Sequence, residues 1–453
     1  MTLYSDTASY HGPVTPWLLL LACDTDTTLG ETGTQPPQPA FAGIESVAWD
    51  GGDGLVASWT DGVEVGQYTV RAVDAAGNTV TQFSETAASH LTGLADGVYT
   101  ISVEASADDG EAYGGDVVLT QLVGENRLVP LSQIAHPGFQ DLWGEGDVVV
   151  AAGGRNQDAD LIVVDASDPT APMVVAQHEG VREIRDVHLE DGVVYAASDN
   201  SPAGVGVWIL DLSDPADPVE LARVPGAVHN LHYGDGHLYL ADLDAEAVTI
   251  LDVADPSDPA WVAEWPLTLG VHDVTWVDGL LYVASPGGLA ILDVTEPSDP
   301  VLVLEHTLMP GNPADGFHNV WPSSDGTHLF TTHEAIGGAI KTWRFPYDVL
   351  EEVSAWPEDE PNCAHNVHVR GDHAFAAWYL EGVRVLDVSD PAAPVLIGSY
   401  DTFDETAQRS GEFPDIRGAW GVWPYGEQVV VSDTETGLWW FDFYPVTVTA
   451  DAR

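Results

Sequence analysis

The chain has 453 residues, with 72 acidic side chains against 13 basic ones and a formal net charge of −59. A surface of that sign repels nucleic-acid phosphates and anionic lipid headgroups, so nucleic acid is excluded as a partner. Apolar residues make up 45% of the chain, enough for a large core, and Gly 45 with Pro 30 implies many turns, while no apolar run approaches the ~20 residues needed to span a bilayer.

The first predicted element is an address. Val14 to Ala22 (VTPWLLLLA) is too short to span a membrane but long enough for the apolar region of an export signal, and Cys23 follows directly. Leu20-Leu21-Ala22-Cys23 resembles the lipobox of secreted lipoproteins, which implies lipidation of Cys23. The preceding MTLYSDTASYHG departs from that pattern in having no Lys or Arg. The expectation is a signal peptide over 1–23 and a disordered Thr/Gly/Pro-rich tether over 24–40.

Residues 41–123 carry short alternating runs separated by Gly, Asp and Asn. Leu55 to Trp59, Tyr68 to Val73 and Tyr99 to Ala105 are three of them. One buried face per strand predicts a small β-sandwich. Leu94 to Tyr99 resembles the tyrosine-corner region of a fibronectin type III domain, with Trp59 where such domains place a core Trp. The resemblance implies a spacer or adhesion module.

From Gln140 onward a unit recurs, marked by an Asx-aliphatic pair at Asp141, Asp186, Asn230, Asp273, Asn319 and Asn366, and by Gly421-Val422 in the last copy. The steps are 45, 44, 43, 46, 47 and 55 residues. Periods in the forties with several strands each predict propeller blades. In the third copy strand A is His229 to Tyr233, strand B His237 to Ala241, strand C Val248 to Val253 and strand D Ala260 to Trp265. Asp168-Pro169, Asp214-Pro215, Asp255-Pro256 and Asp390-Pro391 read as Asx-turns ending strand C rather than calcium loops, because the glycine-containing loop spacing of a calcium site is missing. The fold class expected is all-β: a seven-bladed β-propeller over 124–453 behind a small N-terminal sandwich. The seventh blade lacks a clear fourth strand. Arg127 to Ile134 has the pattern of the other D strands, so it is expected to cross the seam and pair with Leu438 to Phe443.

Leu161-Ile162-Val163-Val164-Asp165, Ile209 to Pro215, Ile291 to Val294 and Val385 to Pro391 resemble the LVIVD-repeat family of exported β-propellers. Repeats five (Lys341 to Phe345) and seven (Leu438 to Asp442) are the least typical.

Four consecutive repeats place a His before the Asx: His229, His272, His318 and His365. With strand A innermost, these imidazoles approach one channel mouth, where a transition metal would find neutral nitrogen ligands. His333 and Glu334, ending the fifth strand B, and Cys363 lie near enough in the repeat grammar to join them. The competing reading is that the His-Asx pairs bond blade to blade, with Cys363 a small buried residue. Arg370-Gly371-Asp372 falls in an ordinary A–B turn. No G-x-S-x-G, H-E-x-x-H, phosphate loop or C-x-x-C occurs.

The function expected first is an exported, lipid-anchored surface protein. It is read as a non-enzymatic scaffold whose D–A and B–C loops bind a surface protein, a glycan or a cell-envelope component, with no assigned cofactor. The alternative is a metal-dependent oxidoreductase. His272-Asp273-Val274, leading to Leu281 to Val283 and Ile291 to Pro297, resembles the selenium-binding and methanethiol oxidase propellers, which implies a transition metal on the His ring.

Overall fold

The computed structural model describes residues 44–444 apart from 50–53, 60–64, 75, 107–111, 124–125, 137, 154–160, 179–182, 202, 309–315, 336–337, 346–348, 358–362, 404–415 and 427. The export signal, Cys23 and the tether lie outside the described residues, as does most of the longer D–A and B–C loops. Every regular element described is a β-strand.

Two sheets precede the repeats. One has three strands, Ile44–Trp49, Gly54–Trp59 and Ala88–Thr92; the other has four, in the order Thr79–Ser84, Gln67–Asp74, Gly97–Ser106, Ala112–Val123. Alternation decides what they bury. Tyr99, Ile101, Val103 and Ala105 point one way along a single strand and meet Leu55, Ala57 and Trp59 in a shared core made only of residues from this region. Trp59 and Tyr68 pack at 5.1 Å between ring centroids.

The repeats form seven four-stranded antiparallel sheets. Six take their strands consecutively from one repeat, as in Val228–Gly234, His237–Asp242, Ala247–Asp252 and Ala260–Pro266. The seventh takes Ala419–Tyr425, Gln428–Asp433 and Gly437–Phe443 from the end of the chain, and its fourth strand is Leu128–Ile134. Leu438 faces Ile134 and Phe443 faces Leu128 across that pair, which is the seam-crossing expected from the D-strand pattern. Each first strand adjoins that of the next repeat, and Ala419–Tyr425 adjoins Phe139–Glu145, so the first strands form a closed cycle.

The packing explains the composition. Strands B and C are buried on both faces, hence their continuous aliphatic runs. One apolar cluster takes Val150, Ala152, Leu161 and Val163 from the first sheet with Val194, Ala196 and Trp208 from the second. Strand D is the outer edge and is partly wet, with Met173 and Trp261 among its exposed residues. In all seven sheets the C–D pairing shifts register at the same place, from Val163/Val164 in the first to Trp440/Phe441 in the last, and the second sheet shifts again at Val205/Val207. A bulge there bends the outer strand and increases its twist.

The C–D turns of repeats one, two, three and six are Asx-turns. Asp255 Oδ1 accepts from Ser257 N at 3.0 Å and from Ser257 Oγ at 2.6 Å, and Asp168 does the same with Thr170. The aspartate ending strand C repeats the device three residues earlier, as where Asp252 accepts from Ala254 N.

Candidate metal centre at the channel mouth

Strand A of each repeat enters the ring at one mouth, and its first residues line that mouth in layers. In the outer layer His229 and His272 lie 4.3 Å apart between ring centroids, His272 and His318 4.4 Å, and His318 and His365 4.3 Å; the Trp420 ring continues the arc 4.3 Å from His365. Four adjacent strands of one closed cycle produce this arc, because side chains at equivalent positions of neighbouring A strands must converge on the axis.

Three of these imidazoles have one nitrogen tied down. His229 Nδ1–H donates to Asp199 Oδ2 at 2.8 Å, His272 Nδ1–H to Asp273 Oδ1 at 2.9 Å and His365 Nδ1–H to the Trp420 carbonyl at 2.7 Å. A proton held on Nδ1 leaves the Nε2 lone pair free, the arrangement by which an acceptor behind a histidine prepares it as a metal ligand. Arg185 Nε in turn donates to Asp199 at 2.8 Å, and the Tyr379 hydroxyl donates to Glu334 Oε1 at 2.5 Å, so both carboxylates are held as well. Glu334 comes within 3.6 Å of His318 Nε2. His318 Nδ1 is buried with no hydrogen-bond partner among the described residues.

Two three-ligand sets result, each with its ligand atoms within 4.8 Å of one another: His229, His272 and Asp273, and His272, His318 and Glu334. His272 belongs to both. The expected ring is thereby narrowed. His365 lines the mouth but enters neither set, because its ring is drawn to the Trp420 carbonyl. His333 does not join: it lies against Phe317 at 5.1 Å with Nε2 3.1 Å from the Thr331 hydroxyl, while Glu334 lines the mouth; strand B ends at Thr331, so both residues follow it rather than end it. Cys363 is fully buried against Tyr379 and Trp420, and burial pushes its thiol up, away from the thiolate a metal needs.

Burial opposes charge throughout the mouth. It lowers His318 to about 4, helped by repulsion from His272, and holds His365 well below the ordinary range. For His272 burial acts downward, but the Asp273 carboxylate outweighs it and the net shift is up; Asp273, also opposed by burial, is drawn below the usual carboxylate range by His272.

The Asx layer beneath is structural. Asp186 Oδ2 accepts from Leu231 N at 2.7 Å, Asn230 Oδ1 from Val274 N at 2.8 Å and Asn319 Oδ1 from Val367 N at 3.1 Å, each a bond from one sheet to the next. The blade-to-blade reading thus holds for these Asx residues and for two of the histidines, His229 bonding Asp199 of the preceding repeat and His365 the Trp420 carbonyl of the following one. Gly421 replaces an Asx where a Cβ would stand 2.6 Å from Asp141 Oδ1. Burial and the adjoining Asp141 raise Asp186 well above the ordinary carboxylate value.

Three residues beyond the histidines, Trp143, His188, His232, Trp321, His368 and Trp423 pack ring on ring across the axis, with Trp143–Trp423 at 3.7 Å and Trp321–His368 at 4.3 Å. The mouth above them is a cavity of about 80 Å³. That is room for an ion and one or two waters, at roughly 30 Å³ per water, and well short of the ~300 Å³ at which organic-ligand pockets begin. Asp199 and Arg185, which position His229, carry no sequence signal, since they act through contacts between two sheets.

The LVIVD repeat family matches residues 156–178, 225–265, 271–307 and 363–402, so the chain carries LVIVD repeats. Repeats five and seven fall outside these segments, and so does the Ile209 to Pro215 string of repeat two. No curated protein matches the chain. Among solved structures, the β-propeller domain of Cps50 (Swd1) from Myceliophteria thermophila has a TM-score of 0.52 at 12% identity, covering 70% of this chain and 100% of that one. The WD40 repeats of RRP9 give 0.52 at 10% identity over 70% and 98%. A protein from Lactobacillus plantarum gives 0.51 at 12% identity over 63% and 89%. The fold is therefore propeller-like.

Proposed function

We propose that the seven four-stranded sheets are the blades of one closed propeller, exported and held at the cell surface, whose mouth binds a first-row divalent transition ion. His272, His318 and Glu334 form the primary set, with His229 and Asp273 as the adjoining set. The observation that carries this reading is the tying of Nδ1 on His229 and His272, which presents Nε2 lone pairs at the mouth beside two held carboxylates. Imidazole with carboxylate suits zinc, copper, iron or nickel better than calcium or magnesium. Three protein ligands leave coordination positions open, the condition for Lewis-acid or redox chemistry.

The test is elemental analysis of protein purified without chelator, followed by titration with zinc and copper. One equivalent per chain is expected. His272→Ala should abolish it because both sets lose a ligand, whereas His365→Ala should retain it. Absence of stoichiometric binding, or loss of binding in His365→Ala alone, would overturn the assignment.

The surface location rests on the lipobox-like Leu20 to Cys23 and the polar tether, with 41–123 as a fibronectin type III-like spacer lifting the propeller's loop face towards partners in the envelope. Cys23→Ser should then release the protein from the membrane fraction.

A further inference from the structure

The other end of the channel holds the larger cavity. It measures about 450 Å³ and lies where the A strands end, on the side of the A–B turns. That volume is within the range of pockets for small organic ligands, although short regular turns predicted nothing on this side.

Its walls are aromatic. The stacked Trp143 and Trp423 form one side, and Trp276 and Tyr233 the other. Two glycines admit the indoles: a Cβ on Gly234 would stand 2.1 Å from Trp276, and one on Gly144 3.2 Å from Trp423, whose Nε1–H donates to the Gly144 carbonyl at 2.8 Å.

Its rim is acidic. Glu190, Asp191, Asp235 and Asp278 line it, and among the described residues no Lys or Arg does. Glu145, also present, is taken up by Asp191 N and Gly192 N at 3.3 and 3.2 Å.

His232 also lines the cavity, its Nδ1–H donating to the Tyr233 carbonyl at 2.9 Å.

We propose that this cavity binds an organic cation carrying N–H donors, a protonated primary amine or a guanidinium. Aromatic faces attract a cation through their quadrupoles. The rim carboxylates complement its charge and accept hydrogen bonds from its N–H groups, which a quaternary ammonium lacks. The group would come either from a free small molecule or from a Lys or Arg side chain of a partner.

The experiment is calorimetric titration of the full chain with 1,4-diaminobutane, argininamide, a Gly-Arg-Gly amide peptide and tetramethylammonium. Saturable 1:1 binding of an amine or guanidinium probe is expected, at least about tenfold tighter than tetramethylammonium, or about 1.4 kcal/mol. Tighter binding of the peptide than of argininamide assigns the group to a protein partner, and the reverse to a free molecule. Asp235→Asn with Asp278→Asn, two changes at the rim, should weaken binding about tenfold. No saturable binding up to about 10 mM of any N–H probe overturns the proposal. So do equal affinity for tetramethylammonium and unchanged affinity in the doubly substituted protein.

Discussion

A histidine shut away from water has to stay neutral, and five of them near the channel axis, His188, His232, His318, His365 and His368, make that a property of the fold. Burial lowers His188 and His368 to about 3, against about 6.5 in an unfolded chain. Between those values the unfolded chain binds a proton that the folded one refuses, so stability is complete above about pH 6.5 and falls as pH drops towards 3. His368→Gln removes one such titration. In urea denaturation the wild-type chain should therefore lose more stability than His368→Gln between about pH 7.5 and 5. Parallel losses would show that His368 is not held neutral by its surroundings.

At the scale of the element, the A strands do two jobs with adjacent residues. The histidine position faces the mouth and the Asx position stitches sheet to sheet. Asn230→Ala takes away the acceptor of the buried Val274 N–H, and an unmet buried donor costs about 1–3 kcal/mol. Asp255→Ala loses its Asx-turn bonds too, but at an exposed turn where water replaces them, so its cost should stay below about 1 kcal/mol. Chemical denaturation of the two variants checks the ordering. The recurrent strand pattern was legible because apolar runs and turn residues are local. The C–D bulge was not, since an extra residue on one strand is defined only by its partner.

For the whole molecule, the seam decides whether the ring is closed. Leu128–Ile134 pairs along Gly437–Phe443, while Arg127 N donates to the Ile397 carbonyl at 2.7 Å and Tyr444 N donates to the Arg127 carbonyl at 2.9 Å. Asn126 adds two bonds to the Ser399 backbone, at 3.0 and 3.1 Å. One segment therefore joins the sixth and seventh sheets at the seam between the last repeat and the first. Deleting 124–134 opens an unpaired edge on Gly437–Phe443 and strips its apolar cover. Thermal unfolding of that variant should begin many degrees below the wild-type chain, whereas deletion of 446–453 should change it little. Comparable midpoints for the two deletions would contradict this account of closure.

The amino-acid sequence by itself determined the repeat period, the all-β class, the turn chemistry of the Asp-Pro steps and the strand that crosses the seam. All of these follow from local pattern: alternation, aliphatic runs, residues that cannot donate to a ladder. It also brought His229, His272, His318 and His365 to notice, because they recur at one position of the repeat. What only the tertiary structure decided is which of them act together. Whether an imidazole offers Nε2 depends on the acceptor behind its Nδ1, and those acceptors, Asp199 from a neighbouring sheet and the Trp420 carbonyl, come from parts of the chain 30 and 55 residues away. The choice of Glu334 over His333 turns on the path the chain takes after His328–Thr331. The aromatic cavity at the far mouth exists only because Gly144 and Gly234, unremarkable in sequence, leave room for indoles of the neighbouring sheets.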